Sequence, residues 1–294
     1  MTRVEVKKTY KLYVGGAFPR SESGRSYAVS DARGQFLANA SLASRKDARD
    51  AVVAARKAQP GWAGATAYNR GQVLYRVAEV MESRRTQFVE ETRAAEGVTP
   101  ARAAALVDAA IDRWVWYAGW SDKYPQVLGG LNPVAGPFFD ISLPEPTGVV
   151  AALAPQGSSL LGLVSVVAPI IVTGNTAVVL ASRERPVPAI TLAESLATSD
   201  VPGGVVNLLT GDPAEMAPWL ASHRDVNAID LTGVAGTAID WAELERAAAD
   251  NLKRVRRPRL SQDGPTEPDW SANLGLDRLT AFVETKTVWH PKGR

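Results

Sequence analysis

The sequence predicts an α/β protein: a mainly parallel sheet with helices packed on its faces, accompanied by a small β arm. Three observations predict it. From Thr147 onward, short apolar runs alternate with helical stretches, as strands covered on both faces require. Residues 124–146 and 280–291 carry β-branched and aromatic residues, the first set among glycines and prolines, which suits extended arms. Finally, 46% of the 294 residues are hydrophobic and 22% charged, enough apolar material for a sizeable core.

Taken in order, residues 10–45 read as short strands and turns, with KLYVGGAF turning at Gly15–Gly16 and a second turn at Ser23–Gly24. Ser44 caps a helix whose Ala48, Ala51, Val52 and Ala55 share one face, and Pro60–Gly61 is expected to stop it. A second helix spans about residues 68–96, carrying Val73, Leu74, Val77 and Met81 at helical spacing and ending at Gly97. Thr99 caps a third, with Pro100 at the first helical position, where a missing N–H costs nothing. Residues 1–123 thus form an N-terminal part of the main domain, and residues 124–146 hold too much glycine and proline for a helix. Residues 147–255 form the α/β core. GVVAALA, TAVVLA, VVNLLT and VNAIDLT are its strands, and AIDWAELERAAADNLKRV is its last helix. Residues 256–279 are polar and proline-rich and read as a linker; residues 280–291 return to strand chemistry.

Composition removes several functions. There is no cysteine, hence no disulfide, no thiolate ligand and no cysteine nucleophile. Two histidines, His223 and His290, make a histidine-rich metal site implausible, and no metal is expected. A net charge of +2 gives no general basis for nucleic-acid or anionic-membrane binding. The longest apolar run, residues 160–172, is too short to span a bilayer, and the first residues lack a secretory pattern. A cytoplasmic protein without membrane or nucleic-acid partners is expected.

Several residues invite sharper readings. Ser158–Ser159 lacks the G-x-S-x-G elbow of a serine nucleophile and reads as a helix cap. His223 closes a helix, where a cation suits the dipole. The basic run from Lys253 to Arg259 has no interleaved aromatics and reads as a solvated or partner-facing helix end. Trp114, Trp116, Tyr117 and Trp120 read as packing between helices rather than a ligand cage.

An ordered set of stretches resembles the aldehyde dehydrogenase superfamily: KLYVGGAF, EPTGVVAALAP followed by TGNTAVVL, VPGGVVNLLTG, HRDVNAIDLTG, AADNLKRV and FVETKTVW. The resemblance implies a Rossmann-like cofactor domain with a small β oligomerisation element. It covers nearly the whole chain apart from residues 256–279, which stand where the family carries its catalytic domain. The family's cysteine nucleophile has no counterpart. Pro258 stands three residues after Val255, in the place of the family's catalytic Glu, and Gly157 takes the place of its oxyanion-binding Asn, so no catalytic residue is assigned. Leu180 or Ala181 replaces the Lys that holds the cofactor ribose, and Ala238 replaces a glycine of the phosphate turn. Pro155, Glu184, Thr232 and Gly233 are what remains of the cofactor site; no cofactor is required on this reading, with NAD(P) binding as the alternative.

The arm is retained, and the resemblance assigns Phe138, Phe139, Ile141, Phe282, Lys286, Val288 and Trp289 to oligomerisation. In the family such an arm pairs with a partner's catalytic-domain sheet, which a second copy of this chain does not offer. The cofactor-domain face that packs on the catalytic domain is also expected to be bare. The expected function is a non-catalytic structural or regulatory subunit docked on a full-length aldehyde dehydrogenase. The alternatives are NAD(P)-dependent aldehyde oxidation only within such a complex, or a nucleotide-sensing module.

Overall fold

The computed structural model describes residues 6–272 and 275–293. The chain opens with a three-stranded sheet of β1 (Thr9–Tyr10), β2 (Ser26–Ser30) and β3 (Phe36–Ser41), in the order β1-β3-β2. Gly15 and Gly16 both sit at positive φ, and this turn brings Tyr13 into paired backbone hydrogen bonds with Leu208.

Helix α1 (Arg45–Gly64) starts with a capping box between Ser44 and Asp47. It does not stop at Pro60 as expected but runs to Gly64. A proline removes one N–H, and here the last turn is held from outside: buried Trp62 donates its indole N–H to Ile171 O at 2.7 Å. The expected second helix is two, α2 (Ala67–Ser83) and α3 (Arg85–Glu96), broken at Arg84 where φ is −108° and ψ 13°. Neither glycine nor proline marks that break. Helix α4 (Pro100–Trp120) carries Thr99 as its cap. A single helical turn, α5 (Tyr124–Leu128), then forms where only extended chain was expected; Pro125 sits in its first turn, where proline is tolerated.

The arm sheet joins β4 (Gly130–Asn132), β5 (Phe138–Pro146) and, from the far end of the chain, β13 (Val283–Pro291), in the order β13-β5-β4 and antiparallel throughout. The core sheet is parallel. It contains β6 (Val149–Leu153), β7 (Thr176–Leu180), β8 (Val206–Leu209), β9 (Ala228–Asp230) and β10 (Arg254–Arg256), in the order β10-β9-β6-β7-β8. Helices α6 (Leu161–Val172), α7 (Val187–Ala197), α8 (Pro213–Ser222) and α9 (Trp241–Ala248) connect these strands. Two hydrophobic clusters flank the sheet. One holds α2, α4, α6 and α7; the other packs α1, α8 and α9 on the opposite face. The four strands β6 to β9 are buried along their whole length, which explains why they read as mainly apolar runs, with Asn207 and Asp230 among the buried polar exceptions.

The end of the core differs from expectation. Helix α9 stops at Ala248, the chain turns through Leu252 at φ 57°, and Arg254–Arg256 forms the fifth strand instead of a helix end. This strand lies at the edge of the sheet, where charged side chains reach solvent and discourage further pairing. The stretch read as a linker has structure too: a hairpin of β11 (Arg259–Ser261) and β12 (Gly264–Thr266), and a short helix α10 (Asp277–Thr280). Residues 273 and 274 of that stretch lie outside the described residues. Among the described residues, no helix is long and apolar enough to cross a membrane.

Candidate functional site

Parallel sheets of this kind bind ligands outside the carboxyl ends of their strands, where the strand order reverses. Here the order reverses between β6 and β9. Strand β6 ends at Leu153 and leads into Ala154-Pro155-Gln156-Gly157. Pro155 is buried. Gln156 donates Nε2–H to Ala154 O at 2.8 Å, and its Oε1 accepts from the Arg183 N–H at 3.2 Å, so its side chain is committed to the backbone of two loops. Gly157 donates its N–H to Glu267 Oε1 at 2.7 Å, and its carbonyl accepts from Arg185. Opposite, the turn after β9 places Thr232 and Gly233 in the interior, with Gly233 against the carbonyls of Leu153 and Ala154.

A cleft of about 340 Å³ lies beside this crevice, lined by the loops after β6, β7, β8 and β9. Exposed Glu184 lines it, next to Arg183, which is ion-paired with Asp212. Asp212 also caps α8 by accepting from the Ala214 N–H at 2.9 Å. The helix beyond the cleft, α9, has its own anion: Asp240 accepts from Ala242 N–H and Glu243 N–H, and Glu243 adds a second carboxylate to the first turn. Among the described residues there is no group of three or more His, Asp or Glu placed to hold a metal.

Residues of the 264–282 stretch pack against the core. Trp270, Leu279 and Phe282 join the core cluster beside α6. Arg278, 6% exposed, pairs with Asp230, 1% exposed, at 3.1 Å, and lies 4.9 Å over the Trp270 ring. Asp230 also accepts from the Thr232 N–H at 2.8 Å, and Arg278 donates to Thr232 Oγ1 at 3.3 Å. From α4, buried Arg113 donates to Ser165 Oγ at 2.7 Å and to Trp270 O at 2.9 Å, and burial holds its pKa below the usual guanidinium range. Sequence reasoning missed Arg113, Glu267, Trp270 and Arg278. Three of them lie in a polar, proline-rich stretch and Arg113 in helix α4, and nothing in either marks single residues that anchor at such distances along the chain.

The arm residues separate by face. Ile141 stands opposite both Leu131 and Val288, and with Phe139 and Leu143 they form an exposed apolar face. On the opposite face, Phe138 and Trp289 meet edge to face at 5.7 Å. Lys286 pairs with Glu145 at 3.0 Å across the two strands. Phe282 does not belong with them: it precedes β13, is 2% exposed in the core, and its carbonyl accepts from Asn175 Nδ2 and Thr147 N. Its apolar side chain follows the core rather than the arm.

The other singled-out residues are structural. Trp114 and Tyr117 are fully buried, and Trp116 packs on Tyr117 and Trp120 at 4.9 and 5.6 Å. Ser158 Oγ accepts from the Gly162 N–H at 2.9 Å in the first turn of α6, whose N-cap residue is Leu160, whereas Ser159 is bonded to Glu96. The basic run is largely tied down: Arg254 pairs with Glu284, Arg256 with Asp277 and Arg257 with Glu245.

His223 departs from the expected cation. Its Nδ1 accepts from the Asp225 N–H at 3.1 Å, its ring packs on Trp219 at 4.4 Å, and burial lowers its pKa. Because the folded value lies below the unfolded one, the stability tied to neutral His223 is present at higher pH and lost as pH falls through the folded value. Urea midpoints should therefore decline less for His223→Asn than for the parent between about pH 7 and pH 5. Parallel curves would show that His223 does not titrate in this way.

The sequence profile described as "Aldehyde dehydrogenase family" matches residues 18–257. The chain belongs to the aldehyde dehydrogenase family. It is 30% identical over 260 residues to aldehyde dehydrogenase, cytosolic 1, of Elephantulus edwardii, covering 87% of this chain and 51% of that one. It is likewise 30% identical over 261 residues to the cytosolic 10-formyltetrahydrofolate dehydrogenase of Mus musculus, covering 86% of this chain and 28% of that protein. Among solved structures, PnpE from Pseudomonas sp. WBC-3 matches with a TM-score of 0.78 and 25% identity over 84% of this chain and 50% of that one. The NAD+ complex of an aldehyde dehydrogenase from Bacillus cereus shares the fold, with a TM-score of 0.78 at 24% identity over 86% of this chain and 53% of that one. This aldehyde dehydrogenase family chain spans about half the length of the Elephantulus edwardii and Bacillus cereus aldehyde dehydrogenases.

Proposed function

We propose that this chain is a non-catalytic subunit that assembles with a full-length, cysteine-bearing aldehyde dehydrogenase and stabilises or regulates it. The observation that carries this reading is the arm. Strand β13 is nine residues long, its outer edge pairs with no described strand, and the adjoining face exposes Leu131, Phe139, Ile141, Leu143 and Val288. An unpaired edge beside an apolar face is a template for strand addition. The arm, with its terminal strand, has been kept while only residues 257–282 connect β10 to β13.

The chemistry supports the same reading. A family reaction that needs a thiolate, a base and an oxyanion donor finds no cysteine, a buried Pro258 and a Gly157 whose N–H is already bonded to a carboxylate. The cofactor groups fit poorly as well. A dinucleotide diphosphate favours free N–H groups at a helix N-terminus, and those of α9 face Asp240 and Glu243. Leu180 or Ala181, in the place of the ribose-binding Lys, is buried at the end of β7. We therefore assign no cofactor to this subunit and no role in hydride transfer.

The test is co-expression with each full-length aldehyde dehydrogenase of the same cell, followed by native mass measurement. A complex of fixed stoichiometry is expected, dispersed by Ile141→Lys together with Val288→Lys, with NADH production abolished by mutating the partner's cysteine. A homo-oligomer indifferent to those enzymes would sink the proposal. Aldehyde oxidation that survives loss of the partner's cysteine would favour residual activity in this chain, and NAD+ binding to the isolated chain would favour a nucleotide sensor.

A further inference from the structure

The crevice between β6 and β9 is occupied by the chain itself. Residues 264–272 cross the carboxyl ends of the sheet and are pinned at three places: at Glu267, at Trp270, and at the exposed Ser271, whose Oγ accepts from Arg102 at 3.2 Å. Glu267 reaches the β6 side, where its Oε1 accepts from the Gly157 N–H at 2.7 Å, while its Oε2 accepts from the Trp270 indole N–H at 2.9 Å. Trp270 fills the space towards β9, 7% exposed, with its carbonyl held by Arg113 at 2.9 Å and its ring under Arg278, the partner of Asp230. One carboxylate thus links a loop of the sheet to the indole that closes the crevice.

We propose that residues 264–272 are a cis-acting strap that shuts this crevice and opens as a unit, with Glu267 as its latch. The inference is independent of the subunit reading above. Three features make the strap separable from the fold. The hairpin of β11 and β12, whose second strand begins the strap, pairs only with itself among the described strands. Glu267 is half-buried and Gly157 exposed, so water can replace the latch bond when it breaks. The strap buries one large side chain, Trp270, whereas strands β6 to β9 beneath are buried along their whole length. Regions with few buried contacts and solvent-reachable hydrogen bonds open locally at a fraction of the global free energy. A closed strap hides the Gly157 N–H, the backbone donor at the end of β6, and an open one presents it. Access to the carboxyl end of the sheet then depends on a conformational equilibrium rather than on side-chain identity alone.

Amide hydrogen exchange on the full chain tests this. In the parent, amides of residues 264–272 should exchange well before those of β6, β7 and β8. Glu267→Ala should speed exchange at residues 157–161 and 264–272 by roughly ten- to hundredfold, the range set by losing a hydrogen bond to a charged group. Glu267→Gln, which retains an acceptor without the charge, should fall between. The sheet strands and β5 with β13 should be unchanged in both. Unaltered exchange in Glu267→Ala overturns the latch. Acceleration spread evenly over the sheet overturns the strap, because the segment then opens only when the whole domain does.

Discussion

Replacing Arg278 by methionine is expected to lower stability by about 3–5 kcal/mol, the usual cost of removing one partner from a buried ion pair. Asp230 is 1% exposed, and Arg278 is the charge that compensates it at 3.1 Å. Methionine preserves much of the arginine stem, so packing against Trp270 is largely kept and the loss is electrostatic. Thr232 continues to donate its N–H and its hydroxyl to Asp230, but two neutral donors do not replace a guanidinium in a desolvated site. The urea midpoint should fall with an unchanged slope, which separates lost stability from a changed unfolded state. The Asp230→Asn, Arg278→Met pair should recover most of the loss, since a neutral pair leaves no uncompensated charge. A double variant as unstable as Arg278→Met would show that Arg278 acts through packing and that the ion pair is incidental.

That ion pair also marks the limit of what the sequence discloses. The parallel sheet was legible because β6, β7 and β8 are buried on both faces and are therefore mostly apolar. The cap at Ser44 and the glycine turn at residues 15–16 were legible because their chemistry is local. Strand β10 was not, because an edge strand tolerates arginines and the turn before it uses Leu252 at positive φ, where glycine is the usual signal. The anchors of residues 264–280 were not either. Glu267 meets Gly157 across 110 residues, and Arg278 meets Asp230 across 48. No periodicity encodes a contact of that kind. Of the four residues that the resemblance assigns to a cofactor site, Pro155, Thr232 and Gly233 lie at the carboxyl ends of β6 and β9, whereas Glu184 lines the neighbouring cleft with Arg183 and Asp212. The resemblance located the crevice, and only the structure revealed what fills it.

Gly233→Ala is expected to be the most damaging single-methyl change in this crevice, costing about 3 kcal/mol, the upper range for overpacking. The reason is proximity, not backbone conformation. A Cβ at Gly233 would lie 2.2 Å from Ala154 O and 2.3 Å from Leu153 O, both backbone atoms at the end of the central strand. Backbone in a parallel sheet cannot rotate away as a side chain can, so β6 and the turn after β9 must part. Gly236 supplies the contrast three residues later. It sits at φ +72° with nothing within 4 Å of an added Cβ, so Gly236→Ala should cost only the left-handed penalty of roughly 1–2 kcal/mol. Gly233→Ala should also raise hydrogen exchange at residues 153–157, because the strand end it displaces carries the loop that holds Gln156 and Gly157. Gly236→Ala should leave those amides alone. If Gly236→Ala proved the costlier change, close approach between β6 and β9 would not be what fixes the width of the crevice, and the strap would be bridging a gap set by something else.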